Sequence, residues 1–110
     1  GRRAVRQAAL MLVAFSVAPS GGGSDSVADV VAEAVRVVRE SGLPHETTSM
    51  FTTIEAETWD EAMDVVKRAV EAVQARSSRV SLVLKADIRP GFTDQLTAKV
   101  ERIDQALGEA

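Results

Sequence analysis

The sequence predicts an α+β domain, a four-stranded antiparallel sheet with two helices across one face and a further helix at the C-terminal end. Three observations carry that reading. Two stripes of Val and Ala at helical spacing, within residues 27–38 and 62–73, separate three stretches of strand-forming residues. Glycine, proline and capping side chains fall at the boundaries between them. The middle stretch, residues 43–56, is long enough to fold back on itself, so the order becomes strand, helix, strand, strand, helix, strand. That order is the split βαβ, or ferredoxin-like βαββαβ, arrangement, here with an additional C-terminal helix.

Each element has a local reason. Residues 11–18, Met-Leu-Val-Ala-Phe-Ser-Val-Ala, form an apolar first strand that Pro19 and Gly21-Gly22-Gly23 close. Ser24, Asp25 and Ser26 offer N-cap oxygens to a helix whose inward face is Val27, Val30, Val31, Ala34, Val35 and Val38. Gly42 ends it, because glycine accepts the left-handed conformation that follows a helix. A turn at Ser49-Met50 pairs Thr48 with Phe51 and Glu46 with Thr53 in a hairpin. Thr58-Trp59-Asp60-Glu61 is a capping box, and the helix after it turns Ala62, Val65, Val66, Ala69, Val70 and Val73 inward. Residues 79–89 make the last strand, stopped by Pro90-Gly91. Thr93 opens a final helix expected to face inward with Leu96, Val100, Ile103 and Leu107.

Bulk properties narrow the function. The chain of 110 residues holds one core, and 45% hydrophobic with 26% charged residues is the balance of a globular domain. The net charge of -3 is uneven: Arg2, Arg3 and Arg6 sit in the first ten residues, leaving ten basic against sixteen acidic side chains in residues 11–110. Such an acidic body argues against nucleic acid, whose binding depends on Lys and Arg neutralising phosphates. With no cysteine and His45 as the one histidine, neither thiolate chemistry nor a zinc site is expected. No stretch reaches the roughly 20 apolar residues of a membrane span. Met11 reads as the start of the domain, 11–110, and residues 1–10 as an upstream extension, disordered or loosely packed. The expected compartment is the cytoplasm.

The densest chemistry lies between His45 and Glu55, which holds four of the seven threonines, Phe51, Met50 and two carboxylates. Hydroxyls both donate and accept, and Phe and Met supply an apolar wall, a combination suited to a small flat polar ligand. Threonine is equally a good strand residue, so composition leaves both readings open. Alternation assigns Ile54, Thr52 and His45 to the helix side, and Phe51, Thr53, Glu55, Glu46 and Thr48 to the open face with Ser16. Leu12, Ala14 and Val83 share that open face, which calls for a second copy of the chain to cover it. Ser16 is expected beside Thr53 and the Lys85/Asp87 pair, and Lys85, Asp87 and Arg89 form a cross-strand or inter-subunit ion network. His45 and Trp59 read as structural residues.

Four segments in order, Met-Leu-Val-Ala-Phe-Ser-Val-Ala-Pro (11–19), Glu-Ser-Gly-Leu-Pro-His-Glu-Thr (40–47), Met-Phe-Thr-Thr-Ile-Glu (50–55) and Lys-Ala-Asp-Ile-Arg (85–89), resemble the thiamine-binding, YkoF-like family of small proteins. The likeness spans roughly residues 11–108. It implies a ferredoxin-like fold, association into dimers or dimers of dimers, and non-enzymatic binding of thiamine or its hydroxymethylpyrimidine part at the oligomer interface. The family's common Thr-Pro-Met-Gly turn is Thr48-Ser49-Met50-Phe51 here, and its Glu-Gly is Glu55-Ala56. Against an aminopyrimidine, Glu55 could accept from the exocyclic amine, Ser16, Thr48 and Thr53 could complete the edge, and Phe51 or Met50 could lie on the ring. No catalytic residue, metal or cofactor is called for. Two other function classes stay open: an interaction module without a small ligand, and a small ferredoxin-like enzyme, which lacks an acid–base pair because Glu55 and His45 face opposite ways.

Overall fold

The computed structural model describes residues 9–20, 26–90 and 95–108. Its elements run β1 (Ala9–Pro19), α1 (Val27–Glu40), β2 (His45–Thr47), β3 (Thr52–Ala56), α2 (Trp59–Gln74), β4 (Val80–Pro90) and α3 (Gln95–Ala106). The four strands form one antiparallel sheet in the order β2-β3-β1-β4, the ferredoxin-like α+β arrangement. β1 starts at Ala9, and Leu10 is buried, so two residues of the segment read as an extension belong to the sheet. The glycine run at 21–23, Ser24, Asp25, Gly91, Thr93 and the side chain of Leu96 lie outside the described residues.

Local chemistry sets the helix ends. Ser26 caps α1, its Oγ accepting from the Asp29 N–H at 3.1 Å. Gly42, at φ +80°, takes the left-handed step that turns the chain from α1 into β2. At α2 the Thr58 Oγ1 accepts from the Glu61 N–H at 3.1 Å, and Glu61 Oε1 reaches back to accept from Glu57 N–H at 3.0 Å. The box therefore closes one residue further out than the usual pattern, on the residue before the cap.

Period-two alternation in β1 builds the core. Met11, Val13, Phe15 and Val17 are buried toward the helices, while Leu12, Ala14, Ser16 and Ala18 are half-buried on the other face. Val30, Ala34 and Val38 of α1 and Ala62, Val65, Val66, Ala69 and Val73 of α2 close over them with Ile54 and Ala56. Arg76 at the end of α2 donates to Glu33 of α1 at 3.4 Å, tying the helices across their exposed rim.

The final helix departs from its expected role. Val100, Ile103 and Leu107 are 53–67% exposed, so the stripe does not enter this chain's core. α1 and α2 already cover the helix side, and α3 touches β1 instead. On the face away from α1 and α2, Leu10 and Glu55 are buried, while Val83 remains 55% exposed.

Candidate functional site

The hairpin carries the candidate chemistry. His45 pairs with Ile54, Glu46 with Thr53 and Thr47 with Thr52, in the register expected from sequence. Between the strands, Thr48 N–H donates to the Phe51 carbonyl at 2.9 Å. The Thr48 hydroxyl donates to that same carbonyl at 3.1 Å and accepts from Met50 and Phe51 N–H, each at 3.3 Å. One donor and two acceptor sites are all a hydroxyl has, so Thr48 is fully engaged within the turn. Its part is to hold Met50 and Phe51 in place.

What they are held against is a groove of about 230 Å³ between the hairpin tip and α1. Phe15, Val17, Val31, Val35, Met50 and Phe51 give it apolar walls, and Ser16, Thr47, Ser49 and Thr52 complete the lining. Val31 and Val35 are half-buried beside the fully packed Val30, Ala34 and Val38. The α1 stripe is thus wider than the core consumes, and its surplus flank faces the groove. Thr47, Thr52, Val31 and Val35 were not among the residues singled out as ligand contacts from sequence. The breadth of the α1 stripe was the available signal.

The sheet opens at the same place. β1 pairs with β3 only from Met11↔Ala56 to Phe15↔Thr52, whereas its pairing with β4 runs on to Pro19↔Val80. From Ser16 onward β1 has a neighbouring strand on the β4 side alone. An antiparallel strand directs its N–H and C=O groups alternately to its two sides, so main-chain groups of residues 16–18 turn to the groove. A groove with a main-chain edge, hydroxyl-bearing residues and an aromatic wall can hold a flat heterocycle by its edge and its faces at once.

The six residues expected to share one pocket divide. Ser16, Thr48, Met50 and Phe51 line the groove. Thr53 lines a separate depression of similar volume on the open face, with Leu12, Ala14, Lys85 and Asp87. Glu55 is buried on that same face, opposite Leu12, and lines neither. Ser16 is not beside Thr53: the register sets Ala14 between Thr53 and Lys85, Leu12 between Glu55 and Asp87, and Ser16 opposite Val83. His45 and Glu55 occupy opposite faces, His45 aligned with Ile54, and His45 Nδ1 bonds the Leu43 carbonyl at 2.9 Å. Trp59 is 55% exposed at the first turn of α2, outside the core.

Comparison with known proteins agrees with the fold and adds a lineage. The chain is 58% identical over 97 residues to a UPF0045 protein of Mycobacterium bovis, covering 88% of this chain and 94% of that one. A UPF0045 protein of Methanothermobacter thermautotrophicus is 39% identical over 94 residues, covering 84% and 95% respectively. Among solved structures, a domain of unknown function, DUF77, from Bacillus cereus superposes with a TM-score of 0.73 at 34% identity, over 83% of this chain and 88% of that one. Residues 13–104 match the family described as thiamine-binding protein, from β1 through most of α3, and the chain belongs to that family.

Proposed function

We propose that the protein binds thiamine or its hydroxymethylpyrimidine part without transforming it, and that the α1–hairpin groove receives the pyrimidine. The carrying observation is the groove itself, where Ser16 and the open edge of β1 meet Phe51 and Met50 in a chain of the thiamine-binding family. A ring nitrogen and an exocyclic amine present an acceptor and a donor in one plane, and a strand edge presents the complementary pair. Phe51 and Met50 supply the face of the ring, with Thr48 fixing both. The cationic thiazolium of thiamine is favoured by the acidic body, ten basic against sixteen acidic side chains beyond residue 10.

In this reading the protein acts in the cytoplasm as a homodimer or a dimer of dimers. A second copy covers the open face, where Leu12, Ala14 and Val83 lie, and Thr53 and Glu55 reach a ligand only through that contact. Titration calorimetry with thiamine and with hydroxymethylpyrimidine tests the proposal, the expected result being one ligand per chain for at least one of them. Phe51→Ala and Ser16→Ala should each weaken binding about ten-fold or more, and Thr53→Val should leave it within a factor of about three. Weakening by Thr53→Val alone would move the site to the open face. No heat from either ligand at high micromolar concentration would end the proposal.

A further inference from the structure

The candidate groove does not end at the hairpin. Val31, Val35 and Thr47 line it on one side and, on the other, line a wide depression of about 650 Å³ over the outer flank of α1. Arg36, Arg39 and Glu40 give that depression its charge. No charged side chain lines the groove itself among the described residues. A molecule seated there meets its first charges across the sill of Val31, Val35 and Thr47, and two of the three are guanidiniums.

Helix geometry explains why they gather there. Val31, Val35 and Arg39 stand four residues apart, and Arg36 follows Val35 directly. Positions four apart share a helix face, about 6 Å further along the axis each time. Arg36 and Arg39 are three apart, so they rise from neighbouring turns of one flank, and both are exposed. The fold leaves them available. The Arg39 guanidinium has no hydrogen-bond or ion-pair partner among the described residues. Arg36 Nε bonds Glu33 Oε1 at 3.3 Å, but Glu33 Oε2 also accepts from Arg76 Nη1 at 3.4 Å. One carboxylate is thus divided between two guanidiniums.

We propose that Arg36 and Arg39 form an anion subsite, and that the ligand fitted to the groove is the phosphate monoester of the hydroxymethylpyrimidine. The assignment rests on the groove receiving the pyrimidine, and it chooses among the ligands which that reading leaves open. In the ester, one carbon and one oxygen join the phosphorus to the ring. Ring and anion are then on the order of one helical turn apart, the step from Val35 to Arg39. A phosphate monoester carries roughly -1.5 to -2 at neutral pH. Guanidinium forks match its oxygens in pairs, and such charge-assisted bonds are stronger than neutral ones.

Thiamine carries a thiazolium cation on the same ring carbon substituent. The described lining of the groove offers it no carboxylate, and across the sill it meets two like charges against the single Glu40. The acidic body attracts that cation from a distance. Screening over about 8 Å at physiological salt leaves the local charges to decide what stays seated.

Titration calorimetry on the wild-type chain, with hydroxymethylpyrimidine and with its phosphate ester, tests the assignment through the ratio of the two affinities. The ester should bind about ten-fold tighter or more. In the R36Q/R39Q variant the ratio should fall to about one, and thiamine should bind more tightly than it does to wild type. Arg68→Gln removes the same charge from an exposed pair with Asp64 on α2, and should leave the ratio as it is. Glu40→Gln should raise the ratio, because it takes a carboxylate from the same depression. Circular dichroism checks that each variant folds. Wild type alone supplies a second measurement, since added salt should weaken the ester more than the alcohol. A ratio near one in wild type, or one that survives R36Q/R39Q, would leave the two arginines a solvated helix face and overturn the inference while the groove stands. Binding of neither compound would end the pyrimidine reading and the anion subsite together.

Discussion

Thr48 lines the groove while its hydroxyl serves the turn. Its hydroxyl lies at the groove but donates and accepts only within the turn. Thr48→Val keeps the shape and removes those bonds, so it should cost about 1–2 kcal/mol in urea unfolding, and Thr48→Ser should retain most of the stability. Gly42 poses the opposite case, since nothing lies within 4 Å of where its side chain would be, yet its φ is +80°. Gly42→Ala should therefore destabilise by about 1–2 kcal/mol through backbone conformation alone, with Gly42→Asn costing less. Equilibrium unfolding of the three proteins side by side checks the order.

Elements that rest on neighbouring residues were legible in the sequence. The box at Thr58 and Glu61 places the start of α2 because its partners are three residues apart, and Thr58→Ala should lower stability by about 1 kcal/mol in thermal or denaturant unfolding. The faces of β1 and β3 were legible too, since a period of two fixes a face once Ile54 is known to be inside. Register was not, because a shift of two residues keeps every face and changes every neighbour, and so Ala14, not Ser16, stands against Thr53. The groove was half legible: hydroxyls and Phe51 marked the hairpin, but the meeting of Val31 and Val35 with it depends on how α1 crosses the sheet. The α3 stripe misled for a related reason, as Val100, Ile103 and Leu107 have the same spacing whether or not this chain covers them.

At the scale of the molecule, surface left uncovered is the main prediction. Ala14 is half-buried between Thr53 and Lys85 on the open face. Ala14→Asp should abolish association through that face and, if a ligand depends on Thr53 or Glu55 of a covered interface, weaken binding in parallel. Light scattering and calorimetry on the same sample would show whether the two losses occur together. Binding confined to the folded state should also raise the thermal midpoint, since ligand at 100-fold its dissociation constant adds about 2.7 kcal/mol.

The uneven flanking of β1 has a consequence for the clock on which its amides exchange with solvent deuterium. Met11 to Phe15 have a strand on either side, so their exchange should await unfolding of the whole domain. Beyond Phe15 one side of the same strand is unlatched, and the amides of residues 16–18 that turn to the groove should exchange orders of magnitude sooner. One strand would thus show two populations, with the step at Ser16. A molecule seated in the groove should slow the fast population and leave the slow one unchanged, reporting occupancy at the main chain without any change in sequence.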